Sequence, residues 1–183
     1  MARKTKQDWL TAGLKIFRDT GVGGLTIESL TQEMGVTKGS FYHHFSGIQN
    51  FKTNFLEFYE EAGTLNIIQV TEEAASAEDK LRRLLTIIVS HPLEDEVIMR
   101  AWAQQDAEVG AVQERVDQQR VSYVAGLCVE INGDLAQGQL MAEIFYALLV
   151  GGPQMQPSLS TERMTAVFNE ILRLYNIPEL EVE

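Results

Sequence analysis

The sequence predicts an all-α protein on three observations. Hydrophobic residues make up 45% of the 183-residue chain and only four prolines interrupt it, which is typical of a globular rather than a disordered protein. Apolar residues recur three and four positions apart in successive segments, the spacing of one helix face. Glycine or a helix-capping residue stands at most boundaries between these segments.

A first helix is predicted over residues 5–20. Its apolar stripe runs through Leu10, Leu14 and Phe17. The glycine-rich segment 21–24 ends it, because glycine favours helix C-caps and turns.

The second and third helices are short and lie on either side of Gly35. Thr26 is placed to cap a helix that ends at Met34, and Thr37 to cap another over residues 37–45. A threonine hydroxyl accepts a hydrogen bond from an otherwise unpaired first-turn amide. Two short helices joined by a glycine-containing turn have the proportions of a helix-turn-helix.

The segment 37–45 separates its aromatic anchors from its polar residues. Phe41 and Phe45 stand four apart and share one face, and a helix this short needs support from behind. For Tyr42, packing against the first helix is the alternative to an exposed role. The other face carries hydrogen-bonding groups, flat rings and a glycine that permits close approach, all suited to DNA: Lys38, Gly39, Ser40, Tyr42, His43 and His44.

A family-specific pattern extends over residues 9–55. It consists of Leu10, Ala12, Phe17, Gly21, Thr26 and Ser29-Leu30, followed by Gly35-Val36-Thr37-Lys38-Gly39-Ser40-Phe41-Tyr42-His43-His44-Phe45. This pattern resembles the DNA-binding domain of the tetracycline-repressor (TetR) family. The resemblance implies a three-helix helix-turn-helix DNA-binding head (residues 1–47). Helix 48–71 would link it to a helical ligand-binding and dimerisation domain, the body (residues 48–183).

The resemblance also implies which residues contact DNA. Base contacts are expected from Thr37, Lys38, Gly39 and His43. Backbone contacts are expected from Ser40, Tyr42 and His44, and Thr26 completes the set at the start of the second helix.

Two positions depart from the family pattern. Ile48 replaces a lysine that usually contacts a phosphate, and Ile27 stands where a second threonine is common. The backbone amides of Gly47 and Gln49, or the side chain of Lys52, are candidates to replace the lost contact. Each lost phosphate contact lowers the salt dependence of binding by about 0.9 in log–log slope. We therefore expect a DNA-binding protein with fewer backbone contacts than usual.

The net charge of −11 is unevenly distributed. Residues 1–52 hold seven Lys/Arg against four Asp/Glu, whereas residues 53–183 hold eight against twenty-two. Arg3, Lys4 and Lys6 form a candidate basic arm. An acidic body repels DNA and confines contact to the basic end. An ordinary acidic protein with a basic tail is the alternative.

The remainder of the chain predicts further helices. The helix 48–71 carries an aromatic stripe, and His91-Pro92 ends a later helix because the residue before proline leaves helical geometry. The predicted helices after residue 71 run from a Ser76 cap to residue 90, over 94–107, from there to about 131, over 135–150, and from a Ser160 cap to about 175.

The last two predicted helices are more apolar than one core requires. This surplus of apolar surface predicts a homodimer in which the two helices of each copy form a four-helix bundle. The resemblance implies the same. Two core helices of a monomer are the alternative, which leaves apolar surface uncovered. The candidate interface residues are Leu140, Ile144, Leu148, Val167, Ile171 and Leu174.

The mixture of apolar and polar residues on the predicted helices of the body indicates a small-molecule cavity. Such cavities combine apolar walls with a few directed polar groups. Each candidate residue is equally compatible with a filled core position. The acidic body favours a neutral or cationic ligand. The candidates are His91, Met99, Trp102, Gln105, Tyr123, Cys128, Phe145 and Tyr146.

Catalysis and metal binding have little support in the sequence. The segment 21–24 lacks the Lys-Ser/Thr of a phosphate-binding loop. His43 and His44 point about 100° apart on a helix, which is poor geometry for one metal ion. Asp95-Glu96 is typical of solvated charges at a helix end. We expect neither an enzyme nor a cofactor.

A single cysteine and a longest apolar run of only residues 144–150 predict a cytoplasmic protein without membrane contact. The sequence thus predicts a ligand-responsive transcriptional regulator, a repressor in preference to an activator, that binds a palindromic double-stranded DNA operator as a homodimer. The alternative is a ligand- or protein-sensing helical dimer whose head is weak or vestigial.

Overall fold

The computed structural model describes residues 4–91 and 93–180, and within these residues the regular structure is helical, which confirms the all-α prediction. The α-helices follow in the order α1 (Lys6–Thr20), α2 (Ile27–Met34), α3 (Lys38–Tyr42), α4 (Ile48–Glu60), α5 (Asn66–Thr71), α6 (Ala77–Ser90), α7 (Glu94–Ala103), α8 (Ala107–Asn132), α9 (Leu135–Gly151) and α10 (Thr161–Leu174).

Local sequence sets most helix ends. Ser76 and Ser160 cap α6 and α10 by accepting bonds from first-turn amides, as predicted. Asp134 caps α9 in the same way, and Gly133 ends α8 in the left-handed conformation at φ 73°. Side-chain caps replace the intrahelical bonds that first-turn amides lack.

The predicted helix 48–71 is continuous but not uniform. A π-helical turn over Glu61–Leu65 lies between α4 and α5. Arg120 of α8 reaches this turn and donates from Nε to Thr64 Oγ1 at 3.0 Å and from Nη2 to the Gly63 carbonyl at 3.2 Å. Such turns interrupt the regular hydrogen-bond ladder, and here a side chain of the body contacts the interruption.

Two apolar clusters lie along the chain. The head cluster joins α1–α4 to Met99 of α7 and Val109 of α8. The body cluster joins α6, α8, α9 and α10 around Leu85, Cys128 and Phe168. Because α4 contributes to the head cluster and continues toward the body, the division at residue 47 stays a prediction.

Two predicted helices are shorter than expected. The segment 37–45 is helical only over Lys38–Tyr42, and the chain then turns. The segment 94–107 is helical only to Ala103, because Asp106 begins α8 by accepting bonds from the amides of Glu108 and Val109. Arg3, of the candidate arm, and Pro92 lie outside the described residues.

Within residues 4–91 and 93–180, the helices lack the combination of length and apolar character needed to cross a bilayer.

Candidate nucleic-acid interface and body cavity

The turn between α2 and α3 has the geometry that its glycine predicts. Gly35 adopts φ 64° and ψ 36°, in the left-handed region, which glycine enters without steric cost. The Val36 amide donates to the Thr31 carbonyl at 3.0 Å. Thr26 caps α2 as predicted, accepting a bond from the Ser29 amide at 3.1 Å. The conformation of Gly35 and the bond from Val36 set the direction in which the chain leaves α2.

Buried aromatic rings hold α3 from behind. Phe41 packs edge-on against Trp9 of α1 with 5.5 Å between ring centroids. Phe45 packs edge-on against Phe51 of α4 at 5.1 Å. These rings are almost completely buried, and such pairs stabilise beyond their buried area. The short helix therefore rests on the head cluster, as its spacing predicted.

The polar side of α3 faces outward. Tyr42 is 56% exposed, with its ring edge-on to Phe41 at 5.6 Å. Gly39 and His43 are exposed, whereas Ser40 and His44 are half-buried. The arrangement brings the candidate contact residues of α3 to one surface.

The prediction that the Thr37 hydroxyl caps the third helix is only partly met. Thr37 occupies the N-cap position of α3, but its side chain makes no cap hydrogen bond. The exposed hydroxyl therefore does not serve the helix start.

Lys38 forms an ion pair with Glu28 of α2 across the turn. The hydrogen bond from Lys38 lowers the pKa of the Glu28 carboxyl. Both side chains are exposed, and solvent screens such pairs strongly. A contact between Lys38 and a base or phosphate would therefore require Lys38 to release Glu28.

The structure does not support Lys52 as a DNA contact. Its ammonium nitrogen lies 2.6 Å from Asp106 Oδ2 and 3.0 Å from Glu108 Oε2, and its side chain is only 14% exposed. Gln49 and Thr53 also donate to Glu108, at 2.8 and 2.7 Å. The side chain of Lys52 joins the start of α8 to α4, the helix that packs in the head cluster.

A cavity of about 280 Å³ lies between the head and the body. Its walls include residues of α1, of the π-helical turn and of α6–α10. Four of the predicted cavity residues line it: His91, Tyr123, Phe145 and Tyr146.

The other four predicted cavity residues lie elsewhere, which corrects that prediction. Met99 and Trp102 pack in the head cluster. Gln105 is exposed and donates to the Ala101 carbonyl at 3.4 Å. Cys128 is buried in the body cluster, and burial raises the pKa of its thiol to about 11. The C-terminal half of α7 faces the head, which removes Met99 and Trp102 from the cavity.

Sequence reasoning missed a buried charged network beside the cavity. Glu96 is 6% exposed rather than solvated, and its carboxylate oxygens lie 2.8 Å from Arg100 Nη2 and 2.8 Å from Arg120 Nη1. Arg100 also pairs with Asp117 at 2.8 Å, and Tyr146 donates to the same carboxylate at 2.6 Å. The four-residue spacing of Glu96 and Arg100 was a sequence signal for part of this network.

Comparison with known families identifies the head. Residues 10–51 match the family model for bacterial regulatory proteins of the tetR family. The N-terminal head belongs to the TetR family. The matched residues include the whole helix-turn-helix and the first residues of α4, so the family assignment coincides with the surface described above.

Solved structures show that the TetR-like fold extends over more than nine-tenths of the chain. Escherichia coli NemR in its reduced form is 17% identical with a TM-score of 0.77, covering 98% of this chain and 100% of NemR. A putative regulator from Saccharomonospora viridis in complex with choline is 12% identical with a TM-score of 0.78, covering 92% and 95%. A TetR-family regulator from Streptomyces coelicolor is 18% identical with a TM-score of 0.74, covering 93% and 88%. No curated protein sequence matches the chain significantly.

Proposed function

We propose that this TetR-family protein is a ligand-responsive transcriptional repressor that binds a palindromic DNA operator as a homodimer. The observation that carries the proposal is the outward-facing polar surface of α3, held from behind by buried aromatic rings of a TetR-family head. Helix-turn-helix dimers place two such helices in successive major grooves, about one DNA turn apart.

The contacts divide between bases and backbone. Thr37, Lys38, Gly39 and His43 are assigned to base edges in the major groove. Ser40, Tyr42 and His44 are assigned to the sugar–phosphate backbone, as is Thr26 at the start of α2. The first-turn amides of α4 supply a further phosphate contact, because no side chain caps that helix start. The side chain of Lys52 is withdrawn from the contact set by its ion pairs with the body.

DNA binding is tested by selecting bound fragments from genomic DNA and measuring their affinity at several salt concentrations. Tyr42→Ala should weaken binding to the selected site about 10- to 150-fold, the loss expected for one hydrogen bond to a charged phosphate. The fold should persist, because Tyr42 is largely exposed. Val70→Ala is the control, since Val70 is 40% exposed on α5, outside the head, and should leave binding unchanged.

The alternative, a sensing dimer with a weak head, draws support from Ile48 and from the ion pairs of Lys52. Absence of any sequence-preferring, salt-sensitive binding at low salt would reject the repressor and favour this alternative. Equal affinity of Tyr42→Ala and the unchanged protein would contradict the assigned surface.

The dimer proposal is supported by apolar side chains on the outer faces of α9 and α10. Leu140 is 54%, Ile144 38% and Leu174 71% exposed, and Leu148, Val167 and Ile171 are half-buried. Exposed apolar side chains on two helices are typical of an interface between copies.

Replacing Leu140 and Ile144 together by glutamate should separate the dimer. Two charges in an apolar interface should raise its dissociation constant at least about 30-fold, the effect of one strong interface residue. Sedimentation equilibrium measures the change. Leu65→Glu is the matched control, because Leu65 is 46% exposed on the π-helical turn. A protein that is monomeric before substitution and still binds its site with full affinity would contradict the dimer.

The regulatory part of the proposal is supported by the position of the cavity. Leu14 and Arg18 of head helix α1 form part of its wall, opposite residues of α8–α10. The Saccharomonospora viridis neighbour holds choline, which supports a small-molecule effector for a regulator of this fold. A ligand shifts the equilibrium between DNA-binding and released states only through its different affinity for the two.

A further inference from the structure

The charged residues in the cavity wall are already paired with one another. Arg18 donates from Nε to Asp95 Oδ1 at 2.9 Å, and its Nη2 lies 2.6 Å from Asp95 Oδ2. Arg120 lies 2.8 Å from Glu96. Each of these charged wall residues therefore has a partner of opposite charge, and Glu96 has a second one in Arg100. A charged ligand would add an ion without a partner, and burying an unpaired charge is costly.

The tyrosine hydroxyls in the wall also have partners. Tyr59 donates to Glu96 at 3.5 Å and Tyr123 to Glu72 at 2.6 Å. Tyr146 donates to Asp117 at 2.6 Å. Each of these protons points to a carboxylate, which is the stronger acceptor. The three tyrosines therefore present mainly their rings to a ligand.

His91 is an exposed residue of the cavity wall, and its imidazole ring has two nitrogen atoms. Its Nδ1 lies 2.7 Å from the Ile87 carbonyl. A carbonyl only accepts hydrogen bonds, so Nδ1 carries the proton. In the tautomer with the proton on Nδ1, Nε2 is the ring nitrogen that accepts a hydrogen bond. The remaining wall is dominated by apolar side chains such as Ile67, Leu85 and Phe168.

We propose that this cavity binds a small, uncharged, predominantly apolar molecule that donates a hydrogen bond to His91. The inference rests on the effector-responsive part of the proposed function and specifies its ligand chemistry. The acidic body predicted a neutral or cationic ligand. The cavity favours the neutral one, because Asp95 and Glu96 already have cationic partners.

Titration calorimetry of the full chain with four probes of similar size tests the proposal. They are para-propylphenol, its charged analogues para-propylbenzoate and para-propylbenzylammonium, and para-propylanisole, which lacks the hydrogen-bond donor. The phenol should bind at least about tenfold more tightly than either charged analogue. It should bind about 3- to 10-fold more tightly than the anisole, as expected for one hydrogen bond.

Two variants locate the site. His91→Phe keeps a ring but removes the acceptor, and should abolish the preference for the phenol over the anisole. Ile67→Trp should fill the cavity and weaken binding of the phenol and the anisole alike. Circular dichroism and thermal unfolding verify that both variants are folded.

Tighter binding of either charged probe, or no binding of any probe, would overturn the assignment, as would an unchanged phenol preference in folded His91→Phe. The titrations contain no DNA. A protein that binds the phenol but no operator would therefore retain this inference and lose the repressor. A protein that binds its operator but none of the probes would retain the repressor proposal and lose this inference.

Discussion

Replacing Gly39 by alanine should stabilise the free protein and weaken its binding to DNA. A Cβ at Gly39 would lie 3.6 Å from Thr37 Oγ1, an ordinary contact, with no closer neighbour. Gly39 lies in α3, where alanine is preferred to glycine by about 0.5–1 kcal/mol. The protein's own packing therefore does not require a glycine at this position.

The proposed DNA contact would account for this glycine. If α3 lies in the major groove, its close approach to the groove floor would leave little room for a methyl group. Gly39→Ala should therefore cost about 1–3 kcal/mol of binding to the selected site, the discrimination carried by one good base contact. Urea unfolding and affinity measurements on the same preparations would show stability and binding moving in opposite directions.

Gly126→Ala is the matched control. Gly126 lies within α8, outside the head, and a Cβ there would meet no atom within 4 Å. This variant should gain similar stability and keep full DNA affinity. Gly39→Ala with undiminished affinity would show that α3 does not approach DNA closely and would remove Gly39 from the interface.

Replacing Glu96 by glutamine should lower the free energy of unfolding by about 3 kcal/mol or more. The buried carboxylate pairs with both Arg100 and Arg120 and accepts a hydrogen bond from Gln113 at 3.3 Å. Arg100 keeps Asp117 when Glu96 is lost. Arg120 keeps Thr64 and the Gly63 carbonyl but has no second carboxylate among its described partners, so most of the cost arises at Arg120.

Urea unfolding at one fixed protein concentration measures this effect, because the stability of the proposed dimer would depend on concentration. Glu130→Gln, at an exposed position of α8, is the control and should change stability by less than about 0.5 kcal/mol. Adding Arg120→Gln to Glu96→Gln should recover part of the loss, since the uncompensated cation is removed. A Glu96→Gln effect no larger than that of Glu130→Gln would contradict the role of the network.

The helix-turn-helix followed from short-range sequence features. The Gly35 turn, the Thr26 cap and the inward spacing of Phe41 and Phe45 depend on residues within about four positions of one another. The length of α3 could not be predicted from these short-range features. Residues 43–45 leave the helix, and Phe45 still reaches Phe51 because the turn after α3 directs it there.

The body was predicted less completely. The four candidate residues that line the cavity lie on α8, α9 and the end of α6. Met99 and Trp102 were misassigned because an apolar residue on a helix looks the same in sequence whether it faces a cavity or a neighbouring core. Glu96 was misassigned because burial of a carboxylate depends on which cations other helices bring to it.

By itself, the sequence determined that the chain is helical, where most helices begin and end, and which short segment presents DNA-binding chemistry. These properties depend on periodicity and capping along a single element. Only the tertiary structure decided that Lys52 pairs with Asp106, 54 positions away, and that Arg18 pairs with Asp95, 77 positions away. The choice of charge partners and the shape of the cavity arise from the packing of distant helices, which local spacing does not encode.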